Sequence, residues 1–217
     1  MTARRYISVW FPHLRTDSVA LNDRSLHDRP FVLRSLVHGR MVISATNVHA
    51  EQKGIHVGLV LADARALVPG LEAQDDELEL PARVLGDLAT WCIRFTPSVS
   101  VDGPEGLFMD ATGCAHLWGD EEAYVNAIAA RLNACGYGVR IGMADTPGVA
   151  WAVARFGSEP LIVKSGLEQQ VMACLPPEAL RIELENVQRL HKLGLHRIGQ
   201  FMNMSRQVLR RRFGQSL

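Results

Sequence analysis

The chain lacks an excess of either charge: 23 lysines and arginines stand against 23 aspartates and glutamates. No global positive field therefore draws it onto DNA or an anionic membrane, and any nucleic-acid contact has to come from a local patch. Cysteine is scarce and scattered. Cys92, Cys114, Cys135 and Cys174 form no C-x-x-C pair, whereas structural zinc wants paired ligands at short spacing and a disulfide framework wants higher density. Their apolar neighbours make them buried thiols of a reducing cytoplasm. No apolar run approaches the roughly 20 residues that span a bilayer. The opening MTARRYISVWFPHLR has neither a long apolar core nor a small-residue cleavage site. The expected localisation is cytoplasmic, without a membrane partner. Internal repeats, low-complexity tracts, G-x-G-x-x-G turns opening a helix and G-x-x-x-x-G-K-[ST] loops are all missing, and no serine sits in a nucleophile-elbow context.

What is present is a globular balance, 47% hydrophobic and 21% charged over 217 residues, enough for one well-buried domain or one with a smaller companion. Arg5 to Phe11 is a short β-rich run stopped by Pro12. Residues 31–36 and 40–45 form two apolar runs around Gly39, a hairpin signal. A polar helix from Asn47 to Lys53 is closed by Gly54, and a second runs from Leu61 to Val68. Residues 72–81 are acidic and loop-like. In 82–95, Val84, Leu85, Leu88, Trp91, Cys92 and Phe95 recur on one helical face. Val99–Val101 and Gly106–Ala111 make two strands joined at Asp102-Gly103-Pro104. Asp120 caps a helix through Ala134, Gly138–Ala144 is a strand, and a helix starting at Pro147 fills 147–156. After Pro176-Pro177, helical patterns at 185–193, 197–203 and 205–213 form a small all-helical module. The fold class expected is α+β, with helices packed on one face of a mixed sheet.

Three groups of residues invite a chemical reading. Asp102, Glu105 and Asp110 lie in DGPEGLFMDATG; on adjacent strands they suit magnesium and phosphoryl transfer, and equally a turn, a solvated face and a strand end. Among the eight histidines, His49 with His56 and His191 with His196 lack ligand spacing and belong on the surface. LHKLGLHRIGQF is close to a helix-hairpin-helix, in which Gly194 and Gly199 let backbone amides approach a DNA phosphate. Arg206, Arg210, Arg211 and Arg212 add a basic turn that serves phosphates or simply suits a helix C-terminus.

Four runs, RYISVWFPHL, FMDATGCAHLWG, IGMADTPGVAWAVARFG and LHKLGLHRIGQFMNMSRQVLRRRFG, in that order, resemble the catalytic core of Y-family lesion-bypass DNA polymerases. Within that family they are most similar to the ImuB-type branch, regarded as catalytically inactive. The resemblance implies a palm from residues 1–11 and 78–157, inserted fingers from 12–77 and a thumb from 158–217. It also implies that the little finger and the C-terminal region with its clamp-binding peptide are absent, so the chain is expected to be a truncated form. It implies a DNA-damage-inducible mutagenesis complex with a sliding clamp, a RecA-like accessory protein and an error-prone replicative-type polymerase, and DNA as a further partner.

The same resemblance places the active members' groups on unsuitable residues. Their first-strand aspartates fall on Trp10 and Pro12, and their sugar-gating aromatic near His13–Arg15. Their serine-x-aspartate-glutamate turn falls on Ser100-Val101-Asp102, followed by an insertion, or on Glu105 and Gly106, depending on where the gap lies. Their tyrosine and arginine for the triphosphate fall on Val48 and Glu51, and their phosphate-facing asparagine-lysine and later lysine on Thr146-Pro147 and Trp151. An acidic side chain facing a triphosphate repels it. The expectation is a non-catalytic adaptor with no cofactor or metal; the alternatives are a weak polymerase using Asp102, Glu105 and Asp110, and a purely protein-binding platform.

Overall fold

A computed structural model of the chain describes residues 4–158, 161–205 and 207. Its centre is a four-stranded sheet in the order β5-β6-β1-β7, made of β1 (Tyr6–Trp10), β5 (Val99–Asp102), β6 (Gly106–Asp110) and β7 (Arg140–Ala144). These strands all pair antiparallel, and an isolated parallel bridge joins Met143 to Ile162 at the β7 edge. Strand alternation divides the side chains between two faces. Ile7, Val9, Leu107, Met109, Ile141 and Met143 point into one apolar core. Helices α4 (Leu80–Cys92) and α5 (Glu121–Ala134) supply Leu85, Leu88, Cys92, Tyr124, Ile128 and Leu132 to the same core. Asp120 caps α5 through the Ala123 amide, as its side chain and position require.

The opposite face is crossed by α6 (Pro147–Phe156). It sits close because Ser8 and Gly142 offer little bulk: a β-carbon on Gly142 would collide with the Ala150 carbonyl oxygen and stand 2.7 Å from the Ala154 amide. Behind α6 lie α7 (Glu168–Cys174), a 3-10 turn (Pro177–Leu180), α8 (Leu184–Lys192) and a second 3-10 turn (Ile198–Gln200). Leu175, Ala179, Leu190 and Ile198 close a second core with Ala150 and Val153.

A smaller sheet, β3-β2-β4, is inserted between β1 and α4. The hairpin of β2 (Phe31–Val37) and β3 (Arg40–Thr46) turns at Gly39, whose φ of 76° favours glycine. Helices α2 (Val48–Glu51) and α3 (Leu61–Leu67) cover it. Asn47 anchors α2: Oδ1 accepts from the Ala50 and Phe31 amides, and Nδ2 donates to the Arg29 carbonyl.

Several expectations are corrected. Residues 72–75 are not loop but β4 (Glu72–Asp75), parallel to β2. Its side chains are half or fully exposed, so the backbone ladder holds it and no apolar alternation announces it. Helix α1 (Leu14–Asn22) gave no sequence signal because it lies between α4 and the second sheet and buries Leu14, Thr16, Ser18 and Ala20 on more than one side. Ser18 and Thr16 satisfy their hydroxyls on backbone carbonyls there. The pattern at 197–203 is only a 3-10 turn, and that at 205–213 falls largely outside the described residues. Of the four thiols, Cys92 alone is buried; Cys135 and Cys174 are exposed, because each stands at the end of a helix that turns its last residue outward. Burial pushes the Cys92 thiol up to about 11. No helix among the described residues is long and apolar enough to cross a membrane.

Candidate functional site

One row of residues crosses the first sheet at the C-terminal end of β1. Asp102 pairs with Gly106, Gly106 with Trp10, and Trp10 with Arg140. All four lie on the face opposite the first core. The register therefore sets Gly106 directly opposite Trp10, with Asp102 and Glu105 at the two ends of the β5–β6 turn. Strand geometry brings these residues together.

The arrangement is charged and closed. The Asp102 carboxylate is 8% exposed; Oδ1 lies 2.9 Å from Arg181 Nη2, and Oδ2 lies 3.5 Å from Arg155 Nη2. Both guanidiniums lie over the Trp151 indole, Arg155 at 4.4 Å and Arg181 at 4.8 Å from its centre, and Arg155 is 5.7 Å from the Trp10 ring. Trp10 Nε1 donates to Glu105 Oε2 at 3.1 Å. Burial lowers Arg155 to about 10, with Asp102 pulling the other way. Its Nη1 and the Trp151 Nε1 are buried without a hydrogen-bond partner.

A cavity of about 240 Å³ adjoins this corner, lined among others by Pro12, His13, Arg15, Thr46, Glu51 and Glu105. The His13 ring bonds the Thr46 carbonyl through Nδ1 at 3.0 Å and turns Nε2 toward Glu51 at 3.8 Å. Glu51 also accepts from the Thr46 hydroxyl at 2.8 Å. Arg15 is held by Asp76 at 2.6 Å, an ion pair whose carboxylate is 1% exposed. The cavity thus presents two carboxylates, Glu51 and Glu105.

Other expected positions behave differently. Val48 is exposed and does not line the cavity. Thr146 caps α6 by accepting from the Val149 amide, and Pro147 begins the helix. Asp110 does not join Asp102 and Glu105. It lies four residues along β6 from Gly106, roughly 13 Å away. Hydrogen bonds from the Thr112 hydroxyl and amide hold its carboxyl below the usual range. Gly194 is the left-handed C-terminal cap of α8, with φ 76° and open space around it. Gly199 is glycine for packing, since a β-carbon there would stand 2.9 Å from the Ala173 carbonyl oxygen. The amides of His196 and Arg197 both donate to the Gln200 side chain at 2.7 and 2.8 Å. Arg206 and Arg210 lie outside the described residues. The His191 and His196 rings lie 5.1 Å apart, tilted by 37°, and His191 faces Glu178 at 3.5 Å.

The residues that sequence reasoning missed are Arg155 and Arg181. The first had a usable signal, an arginine four residues after Trp151 on an otherwise apolar helix.

The fold is that of Y-family DNA polymerases. DinB from Sulfolobus solfataricus superposes with a TM-score of 0.78 at 16% identity, over 97% of this chain and 63% of that one. An insertion ternary complex of Dbh DNA polymerase gives 0.81 at 15% identity, with the same coverage. The chain belongs to the impB/mucB/samB family, whose profile matches residues 11–155. It is 43% identical over 161 residues to protein ImuB of Caulobacter vibrioides, covering 74% of this chain and 35% of that protein. It is 28% identical over 199 residues to DNA polymerase IV 2 of Mesorhizobium japonicum, covering 89% and 46%. The chain thus spans between a third and a half of the length of these relatives.

The fold family implies a divalent metal at this corner, and the donor set does not fit one. A magnesium ion needs oxygen ligands at about 2.0–2.1 Å in near-octahedral array. Trp10, Pro12 and Gly106 offer no side-chain oxygen, Asp102 faces two guanidiniums, and Glu105 accepts from an indole. Among the described residues no group of three or more His, Cys, Asp and Glu is placed to hold a metal ion.

Proposed function

We propose that the chain is part of a polymerase-fold adaptor that serves DNA-damage-induced translesion synthesis without transferring nucleotides itself. The observation that carries this reading is the Asp102 carboxylate, buried and ion-paired with Arg181 and, at 3.5 Å, with Arg155, where metal-dependent chemistry would need it free. Nucleotidyl transfer rests on metal positioning and on stabilising developing charge. A corner whose guanidiniums are committed to Asp102 positions no metal, and Glu51 and Glu105 in the adjoining cavity disfavour a triphosphate. The partners that the family resemblance suggests are a sliding clamp, a RecA-like accessory protein, an error-prone replicative-type polymerase and primer–template DNA. The palm, fingers and thumb would act as one platform for them, in the cytoplasm at the nucleoid.

Binding of a labelled primer–template to the protein in its natural full length tests this. An adaptor holds DNA, or only its protein partners, with an affinity that magnesium and the next correct deoxynucleoside triphosphate leave unchanged. An affinity that rises when both are added contradicts the reading.

A further inference from the structure

Among the described residues, Arg181 carries the C-terminal segment to the corner of the sheet. Arg181 follows the 3-10 turn Pro177–Leu180 with φ 56° and ψ 30°, a left-handed conformation that residues with a β-carbon rarely adopt. Its guanidinium projects to Asp102, while Arg155 approaches the same carboxylate from α6. Gly106 lies beneath them, and a β-carbon there would stand 3.0 Å from Arg155 Nη2 and 3.2 Å from the Asp102 carbonyl oxygen. A side chain at Gly106 would therefore make the Arg155 guanidinium give way by a few tenths of an ångström.

We propose that Arg155 and Arg181 are built-in cations that take the place a divalent metal would need before Asp102, and that the Arg181–Asp102 ion pair holds residues 177–198 against α6 at the corner of the first sheet. The metal half of this proposal rests on the non-catalytic reading, and the docking half stands without it. A bound metal supplies charge only while it is bound. Two guanidiniums supply it permanently, so the placement of the C-terminal segment depends on neither metal nor nucleotide. Apolar contacts of Ala179, Leu190 and Ile198 provide most of the attraction. The ion pair and the two cation–π contacts on Trp151 fix the orientation, because a planar guanidinium satisfies a carboxylate and an indole only in a narrow range of geometries.

Hydrogen exchange on the full-length protein tests both halves, comparing wild type, Arg181→Gln and Asp102→Asn with and without manganese. Arg181→Gln is expected to speed exchange of the amides in 177–198 by about tenfold while β1 and β6 keep their protection. Asp102→Asn gives the same local loosening, and manganese changes nothing in wild type. Unchanged exchange at 177–198 in Arg181→Gln would overturn the docking, and manganese-dependent protection around Asp102–Gly106 in wild type would overturn the replacement of the metal. Should Asp102→Asn unfold more widely, Arg181→Gln still decides, since it leaves the sheet and the Arg155 contact in place. Primer extension is a separate readout: activity in a protein docked this way would overturn the adaptor reading and not the docking.

Discussion

Replacing Asp102 by asparagine keeps the shape of the side chain and removes its charge. Arg155, 12% exposed, then remains buried with only the weaker pull of the Glu105 carboxylate to offset it, whereas Arg181, 46% exposed, can turn to water. Two unit charges about 4 Å apart attract by about 4 kcal/mol at the effective dielectric typical of protein sites, and desolvation of the pair consumes part of that. Breaking a well-buried pair costs about 3–5 kcal/mol. Because the Arg181 half is solvent-screened, the expectation for Asp102→Asn is a loss of about 2–3 kcal/mol. For a domain of this size that lowers the melting temperature by about 5–10 °C. Urea unfolding of wild type, Asp102→Asn, Arg155→Gln and the double variant gives the coupling directly. The double variant should be less destabilised than the sum of the singles by at least about 1 kcal/mol, since it leaves no orphaned charge. A loss below about 0.5 kcal/mol for Asp102→Asn, or strict additivity, would refute the argument that the pair is buried and mutually compensating.

Gly142→Ala drives a methyl group into the backbone of α6, and should cost about 3 kcal/mol or more in urea melts, with α6 displaced in a structure of the variant. Asn47→Ala removes the hydrogen bonds that join Phe31, Arg29 and α2. It should cost about 2–3 kcal/mol and raise exchange of the Ala50 amide first. Burial raises the carboxyl of Asp17 above its ordinary 3.8, although the Gly138 amide and neighbouring histidines favour its charged form. The folded state then holds a proton that the unfolded chain has lost, so stability falls as pH climbs from about 3.8 through the raised value. Asp17→Asn should flatten that part of a stability–pH profile, and an unaltered slope would assign it to other groups.

Much of the fold was legible because local chemistry and tertiary role agree. Asp120 caps α5, Pro147 opens α6, Gly39 turns the β2–β3 hairpin, and the apolar positions of α4 recur at helical spacing. Reasoning from pattern failed where burial is not one-sided. Helix α1 is enclosed on several sides and uses threonine and serine as core residues, while β4 is held by its ladder and an exposed Arg34–Asp75 pair. At the site, the resemblance pointed to Trp10, Pro12, Glu105, Gly106 and Glu51, and the sheet register and the cavity bring these to one corner. What no linear pattern could reveal is the compensation. Arg155 hides in an apolar helix and Arg181 in a turn beyond two prolines, and only the packing of that turn on α6 carries both guanidiniums to Asp102. The glycines of LHKLGLHRIGQF look alike in sequence, yet Gly194 caps a helix and Gly199 makes room for α7.

The central claim is that this corner no longer supports metal-dependent nucleotide addition. Template-directed primer extension by the full-length protein, with magnesium and then with manganese, tests it most directly. The account predicts DNA or partner binding without extension under either metal. Extension that disappears on changing Asp102 or Glu105 would contradict it, because those carboxylates would then have to leave their arginine and indole partners to hold a metal.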